Sequence, residues 1–153
     1  MQVRKAKPQD LRTVFGNLAQ RCIEEIDLAD YTLAEAKEAF RGIWKLGNLW
    51  ALDFHGEPIG LIGFQRDEID VGVPVLATFF VGKAKFFDPA VPSVRFGRKF
   101  MRKMQTEFDN LPVVSMCYGV HPEIERWYRL MGYRLAETYG VQRNFVLDPV
   151  RRL

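Results

Sequence analysis

The run Val73–Val81, VPVLATFFV, carries no charge and is rich in β-branched and aromatic side chains. Such a run suits a strand covered on both faces, so the chain around it has to supply the covering layers. Downstream come a loop with Pro89 and Pro92, a helical run over Ser93–Asn110, and a second apolar run, Val113–Val120. In the helical run Phe96, Phe100, Met104 and Phe108 recur at every fourth position. Parallel strands need a crossover, and this helix supplies one. Val73–Val81 and Val113–Val120 are therefore expected to be parallel neighbours in a mixed sheet.

The other segments fit around that unit. Met1–Lys7 reads as a short strand that stops at Pro8. Pro8 then opens a helix in which Leu11, Val14, Phe15, Leu18, Cys22 and Ile26 keep near-helical spacing. A second helix starts at Thr32, whose T-x-x-E spacing to Glu35 is that of a capping box, and ends at Gly47. Leu49–Phe54 and Pro58–Gln65 read as strands joined by His55-Gly56-Glu57. After Val113–Val120, a helix is expected over Pro122–Met131. A closing hairpin follows, Tyr133–Thr138 with Val141–Leu147 around Gly140. The expected fold class is α/β, ordered β-α-α-β-β-β-α-β-α-β-β, with helices on both faces of a mixed sheet.

At 153 residues the chain fits a single domain, 1–153, that can bury a core without disulfides or metals. Its 48% hydrophobic and 27% charged residues exclude a disordered body. Cys22 and Cys117 match no metal-ligand spacing and lie in apolar runs, so buried free thiols are expected. The opening MQVRKAKPQD has no apolar signal region, and no stretch approaches the roughly 18 apolar residues of a membrane span. A cytoplasmic protein without membrane contact is expected. The net charge of +3 is a mild bias. Charge outside the Ser93–Asn110 helix is balanced and the aromatics have core spacing, so nucleic acid is not an expected partner.

The element order resembles that of the GNAT superfamily of acyl-CoA N-acetyltransferases, and two segments sharpen the likeness. Val3–Leu11, VRKAKPQDL, is similar to the family's first strand and helix entry. His121–Tyr133, HPEIERWYRLMGY, resembles its late signature, N-x-x-A-x-x-F-Y-x-x-x-G-F. Trp127 falls on the Phe, Tyr128 on the Tyr, Gly132 on the Gly and Tyr133 on the last Phe, while His121 replaces the Asn. Apart from any family, Ile124, Trp127, Tyr128 and Met131 share one helical stripe, and Gly132 lets the helix stop and reverse.

The resemblance implies that acetyl-CoA is the co-substrate, held where the long apolar strand ends, at Val81, and along Arg95, Phe96, Gly97, Arg98 and Lys99. The family's pyrophosphate motif there is [QR]-x-x-G-x-[GA]. Gly97 takes its last position, whereas Arg95 stands at the earlier glycine and, having a Cβ, disfavours φ > 0. Arg95, Arg98, Lys99, Arg102 and Lys103 crowd the first turns of this helix. Cations there oppose the helix dipole, and a bound anion would turn that penalty into attraction. The plainer reading is a solvated basic face.

By the same resemblance Tyr128 is the general acid for the leaving thiolate; its plainer role is packing. His121 is a candidate base because imidazole titrates near neutrality, or simply a cap before Pro122. Val73–Val81 holds no acid. Asp67, Glu68 and Asp70 in the connection before it, and Glu57 in an earlier turn, read as loop charges. The expected activity is acetyl transfer from acetyl-CoA to a primary amine. The alternative is a GNAT-fold protein that binds acyl-CoA without catalysis or serves as a phage-type accessory or structural component.

Overall fold

The computed structural model describes residues 1–69, 72–119 and 121–151. Its packing falls into two compact units, Met1–Phe64 with Phe79–Ser93, and Gln65–Thr78 with Val94–Leu153.

In the first unit, β1 (Gln2–Lys5) lies antiparallel to β2 (Leu49–Phe54), which in turn pairs antiparallel with the start of β3 (Glu57–Ile69). His55 and Gly56 take left-handed backbone, φ 51° and 78°, and so close a tight hairpin whose twist matches its strands. Alternation puts Leu49, Ala51 and Leu61 on one face, where they are buried with Val81 near the end of β4 (Val73–Gly82). Leu11 and Val14 of α1 (Pro8–Phe15) and Phe40 and Ile43 of α3 (Leu33–Lys45) complete that core. Burying each such large side chain is worth about 1.5–3 kcal/mol. Gly63 belongs here for its size: a Cβ on it would come within 2.9 Å of Ile43 Cγ2, so bare backbone lets α3 lie close to β3.

One expected helix is two. The apolar stripe runs unbroken from Leu11 to Ile26, yet α1 ends at Phe15 and α2 spans Gln20–Leu28. The break comes from a distant strand. Ala19 donates its N–H to the Gly82 carbonyl at 2.9 Å, and Leu18 forms an isolated antiparallel bridge with Lys83. Two groups that a continuous helix would use internally are thereby committed to the end of β4. The order is β-α-α-α-β-β-β-α-β-α-β-β, with one helix more than the sequence suggests.

The unit also buries charge. Arg4 of β1 reaches Asp10 through Nη1 and Nη2 (2.7 and 2.9 Å) and Asp53 through Nε (2.7 Å). Asp10 also accepts the Lys7 N–H at 2.8 Å and so closes the start of α1. Burial pushes the Asp10 carboxyl up, but Arg4 and the Lys7 amide outweigh it and hold it below its ordinary value of 3.8.

In the second unit, Leu76–Thr78 of β4 pairs parallel with Val113–Ser115 of β5 (Val113–Tyr118), as the crossover predicts. The crossover contains α4 (Ser93–Glu107). Strand β5 pairs antiparallel with β7 (Gln142–Leu147), and β7 with β6 (Arg134–Tyr139). Between them α5 spans Pro122–Leu130, and Gly132, φ 97°, supplies the left-handed residue that ends it. Gln105 of α4, fully buried, donates to the carbonyls of Leu111, Leu147 and Asp148 at 2.9–3.1 Å. The seven strands form a mixed sheet in the order β1-β2-β3-β4-β5-β7-β6.

Three boundaries differ from expectation. Strand β3 continues through Asp67 and Glu68, which are exposed strand residues and not a connection. Ladder hydrogen bonds hold a polar segment extended where alternation gives no signal. The expected Gly82–Pro92 loop contains a 3₁₀ turn, Ala84–Phe87. Helix α4 stops at Glu107, before Asp109 and Asn110 turn left-handed. Asp70 and Val120 lie outside the described residues.

Candidate functional site

Helix α4 begins with no acid in its first turn, and its Arg95, Arg98 and Lys99 are exposed. Arg95 thus stands in the first turn and Arg98 and Lys99 in the second, towards the positive end of the helix dipole. That donor set fits a polyanion such as a pyrophosphate. Phe96, half-buried, stacks on Phe100 of the next turn at 5.7 Å between ring centroids. Val81, in the first unit, turns its side chain into the Leu11–Phe40 core.

Gly97 has a specific neighbour. A Cβ built on it would lie 2.5 Å from Met131 Sδ. Its missing side chain therefore admits the C-terminal end of α5, where Met131 is the capping residue. The second turn of α4 and the last turn of α5 are in contact, which brings the basic helix start near the helix that carries Tyr128.

On α5, His121 is the residue before the helix and Pro122 its first position. The His121 side chain makes no capping hydrogen bond; its carbonyl accepts the Ile124 N–H at 3.0 Å. Tyr128 is half-buried and lies face to face on Phe145 of β7, with centroids 4.5 Å apart and planes 10° from parallel. Trp127 and Tyr133 meet its ring edge-on, each at 5.1 Å. A second tie fixes the same helix: Arg143 of β7 donates to Glu125 at 2.6 Å, and Arg129 donates to the other carboxylate oxygen at 2.7 Å. Arg143, then its own cost of burial set against it, leaves the Glu125 carboxyl below its ordinary range. Two β7 residues on one face, Arg143 and Phe145, thus grip α5 at Glu125 and Tyr128. His121 and Tyr128, the two expected catalytic residues, stand at opposite ends of this one helix.

Beneath α5, the Thr78 and Ser115 hydroxyls are hydrogen-bonded to each other across the parallel ladder. Tyr133 is buried, and among the described residues its hydroxyl has no hydrogen-bond partner of ordinary geometry. Burial pushes that phenol well up; the nearby Ser115 hydroxyl only partly offsets it. The phenol stays neutral throughout the physiological range. Of the carboxylates expected near the strands, Glu57 is paired with Lys83 at 3.2 Å, and Asp67 and Glu68 are exposed. Cys22 and Cys117 are buried free thiols, and burial pushes Cys22 up to about 11.

The sequence reading did not single out Arg143, Ser115 or Thr78. The signal for Arg143 was its register: it alternates with Phe145 and Leu147 on the inward side of β7. A charge at such a position needs a partner, and Glu125 is it.

No family model and no curated protein matches the sequence. Solved structures do match. The GNAT domain of PAT from S. lividans superposes with a TM-score of 0.70 at 11% identity, over 95% of this chain and 89% of that one. The GNAT-family acetyltransferase from Bacillus anthracis gives 0.66 at 13% identity, over 95% and 93%. A phosphinothricin acetyltransferase from Sinorhizobium meliloti, solved with acetyl-CoA, gives 0.61 at 16%, over 97% and 88%. Among the described residues no helix is long and apolar enough to cross a membrane. With its β4–α4–β5 crossover, its seven-stranded mixed sheet and these likenesses over almost its whole length, the chain has the fold of the GNAT acetyltransferase superfamily.

Proposed function

We propose that the protein transfers an acetyl group from acetyl-CoA to a primary amine. The observation that carries this reading is the start of α4. Arg95, Arg98 and Lys99 are exposed there, no acid stands in the first turn, and the helix begins within a GNAT crossover. Those cations and the N–H groups of the first turn would hold the coenzyme's phosphates.

In the reaction the amine lone pair adds to the thioester carbonyl carbon, forming the C–N bond and an oxyanion. Collapse of that intermediate breaks the C–S bond. Tyr128 gives its phenolic proton to the departing sulfur, and the stack on Phe145 together with the Arg143–Glu125 tie holds the phenol in one orientation. His121 is the candidate acceptor for the proton that the amine loses.

A second reading is favoured by one observation, the closure of Gly97 against Met131. With Arg95 at the earlier glycine position and Gly97 committed to packing, the protein would bind acyl-CoA without transferring from it, or serve as a phage-type accessory or structural component.

Two measurements separate the readings. Acetyl-CoA at a hundredfold excess over its dissociation constant should stabilise the protein by about 2.7 kcal/mol. Amines and peptides are then screened for thiol release, and Tyr128→Phe is compared with wild type at matched melting temperature. A fall in kcat of about 10²- to 10⁴-fold with unchanged coenzyme affinity supports the general-acid role. Stabilisation without thiol release supports acyl-CoA binding without catalysis, and no stabilisation at millimolar acetyl-CoA removes the transferase and leaves the accessory or structural role.

A further inference from the structure

Thr78, Ser115, Phe145 and Leu135 stand on one rung of the sheet. The register sets Thr78 beside Ser115, Ser115 opposite Phe145, and Phe145 opposite Leu135. Residues that face each other across a ladder project from the same side of the sheet. On that side Phe145 carries the stacked Tyr128 ring, so the rung lies beneath α5. All of these residues, and Tyr133 with them, belong to the second unit. Thr78 and Ser115 are the last rung of the β4–β5 ladder.

Three hydroxyls meet at that rung, and their protons fit one order. Thr78 Oγ1 lies 3.4 Å from the Val114 carbonyl oxygen, which can only accept. With the Thr78 proton directed there, the Thr78–Ser115 bond is donated by Ser115, and the Ser115 oxygen is left to accept. The Tyr133 phenol is the group beside it. That phenol is buried, has no partner of ordinary geometry among the described residues, and is close enough for Ser115 to act on its ionisation. The reverse order would leave a buried phenol proton without an acceptor, the costlier arrangement. The protons therefore run one way, from Tyr133 to Ser115 to Thr78 to the Val114 carbonyl.

Tyr133 is also tied to Tyr128 twice. Its backbone N–H donates to the Tyr128 carbonyl at 3.0 Å, and its ring meets the Tyr128 ring edge-on. Helix α5 needs such an anchor, because none of its own residues is buried. We infer that Tyr133 is a positioning residue for Tyr128: its hydroxyl closes onto Ser115 and, through Thr78, moors the Tyr128 ring to the end of the β4–β5 ladder. Resting on the transferase reading above, this gives a fixed seat to the phenol that must meet the departing sulfur. Tyr133 acts through Tyr128 and takes no part in the proton transfer itself.

The test uses the full chain and variants that differ at a hydroxyl. Tyr133→Phe removes the phenolic hydroxyl, Thr78→Val removes the far end of the chain at nearly constant shape, and Thr78→Ser keeps it. Each is compared with wild type at matched melting temperature. Tyr128 ring flips are read by NMR on ring-labelled tyrosine and assigned with Tyr128→Phe. They should quicken by about 3- to 10-fold in Tyr133→Phe and in Thr78→Val, the weight of one hydrogen bond. Thr78→Ser should keep the wild-type rate. In thiol-release assays with an amine that supports wild-type turnover, kcat should fall by a similar factor in the same two variants, with the KM for acetyl-CoA unchanged. Tyr133→Phe combined with Thr78→Val should be no worse than either alone, because both break one chain. Unchanged ring flips in Tyr133→Phe, or equal effects of Thr78→Ser and Thr78→Val, overturn the inference. Ring flips that respond to both hydroxyls while no amine gives thiol release retain the mooring of Tyr128 and reject the transferase reading that makes it a proton donor.

Discussion

Helices α3 and α4 begin in opposite ways. At the start of α3, Thr32 accepts the Glu35 N–H and Glu35 accepts the Thr32 N–H, each at 3.1 Å, and Lys45 stands in the last turn. Its own side chains satisfy its end groups, and its charges follow the dipole. Helix α4 carries Arg95, Arg98 and Lys99 at its start and no cation in its last turn. Its order comes from what it buries: Phe100, Met101, Met104 and Gln105. The difference separates two purposes. One helix start is closed by its own side chains, whereas the other carries cations and is held in place by packing.

The largest effect is expected on the closed side, at α1, whose Asp10 plays the part that Glu35 plays for α3. Asp10→Asn should cost about 2–3 kcal/mol. That is less than the about 3–5 kcal/mol typical of a fully buried pair, because Arg4 keeps Asp53 and is partly exposed. The wild-type carboxyl is held below 3.8, so its contribution is complete above that pH and is lost as pH falls through the lowered folded value. The variant should lack that acid-limb slope in urea titrations as pH falls below 3.8. An unchanged slope would show that Asp10 does not close α1 as described.

Gly97 sharpens the other side of the comparison by separating packing from anion binding. Gly97→Ala forces Met131 to move and should cost about 1–3 kcal/mol, reduced by the better helix propensity of alanine. Gly97→Ala combined with Met131→Ala should regain part of the loss in thermal melts. If the single variant is as stable as wild type yet no longer gains from acetyl-CoA, then Gly97 faces the coenzyme rather than α5.

The smallest effects reverse sign between the two helices. Thr32→Ala should lower stability by about 1 kcal/mol. Arg98→Glu should raise it by roughly 0.3–1 kcal/mol at low salt, because it removes a cation from the wrong end of a dipole. Millimolar pyrophosphate should erase that advantage by stabilising wild type alone. A destabilised Arg98→Glu would mean that the basic residues already have partners and that the start of α4 is not open.

Much of this fold is legible in the residues. The uncharged run of β4, the four-residue spacing of the α4 aromatics and the second apolar run suffice for a parallel crossover, because each reports burial through local periodicity. The break between α1 and α2 is not legible, since the Leu11–Ile26 stripe stays in phase and the break is imposed by Gly82 and Lys83, more than sixty residues away. The site divides along the same line. Tyr128 and the basic start of α4 can be named from sequence. By contrast, the reason for Gly97 and the grip of Arg143 on Glu125 are contacts between segments distant in sequence.

The first unit is interrupted in sequence: Phe79–Ser93 belongs with Met1–Phe64, and Gln65–Thr78 belongs to the other unit. During synthesis this imposes a waiting time. At about 5–20 residues per second, the interval between the emergence of Phe64 and of Lys83 is on the order of seconds, long compared with helix and hairpin formation. Through that interval Leu49, Ala51 and Leu61 are present without Val81 to cover them, an aggregation-exposed state of the nascent chain. The wait ends when Gly82 and Lys83 arrive. Only then can Ala19 find its carbonyl and Leu18 its bridge, so the division between α1 and α2 is among the last features of the first unit to form.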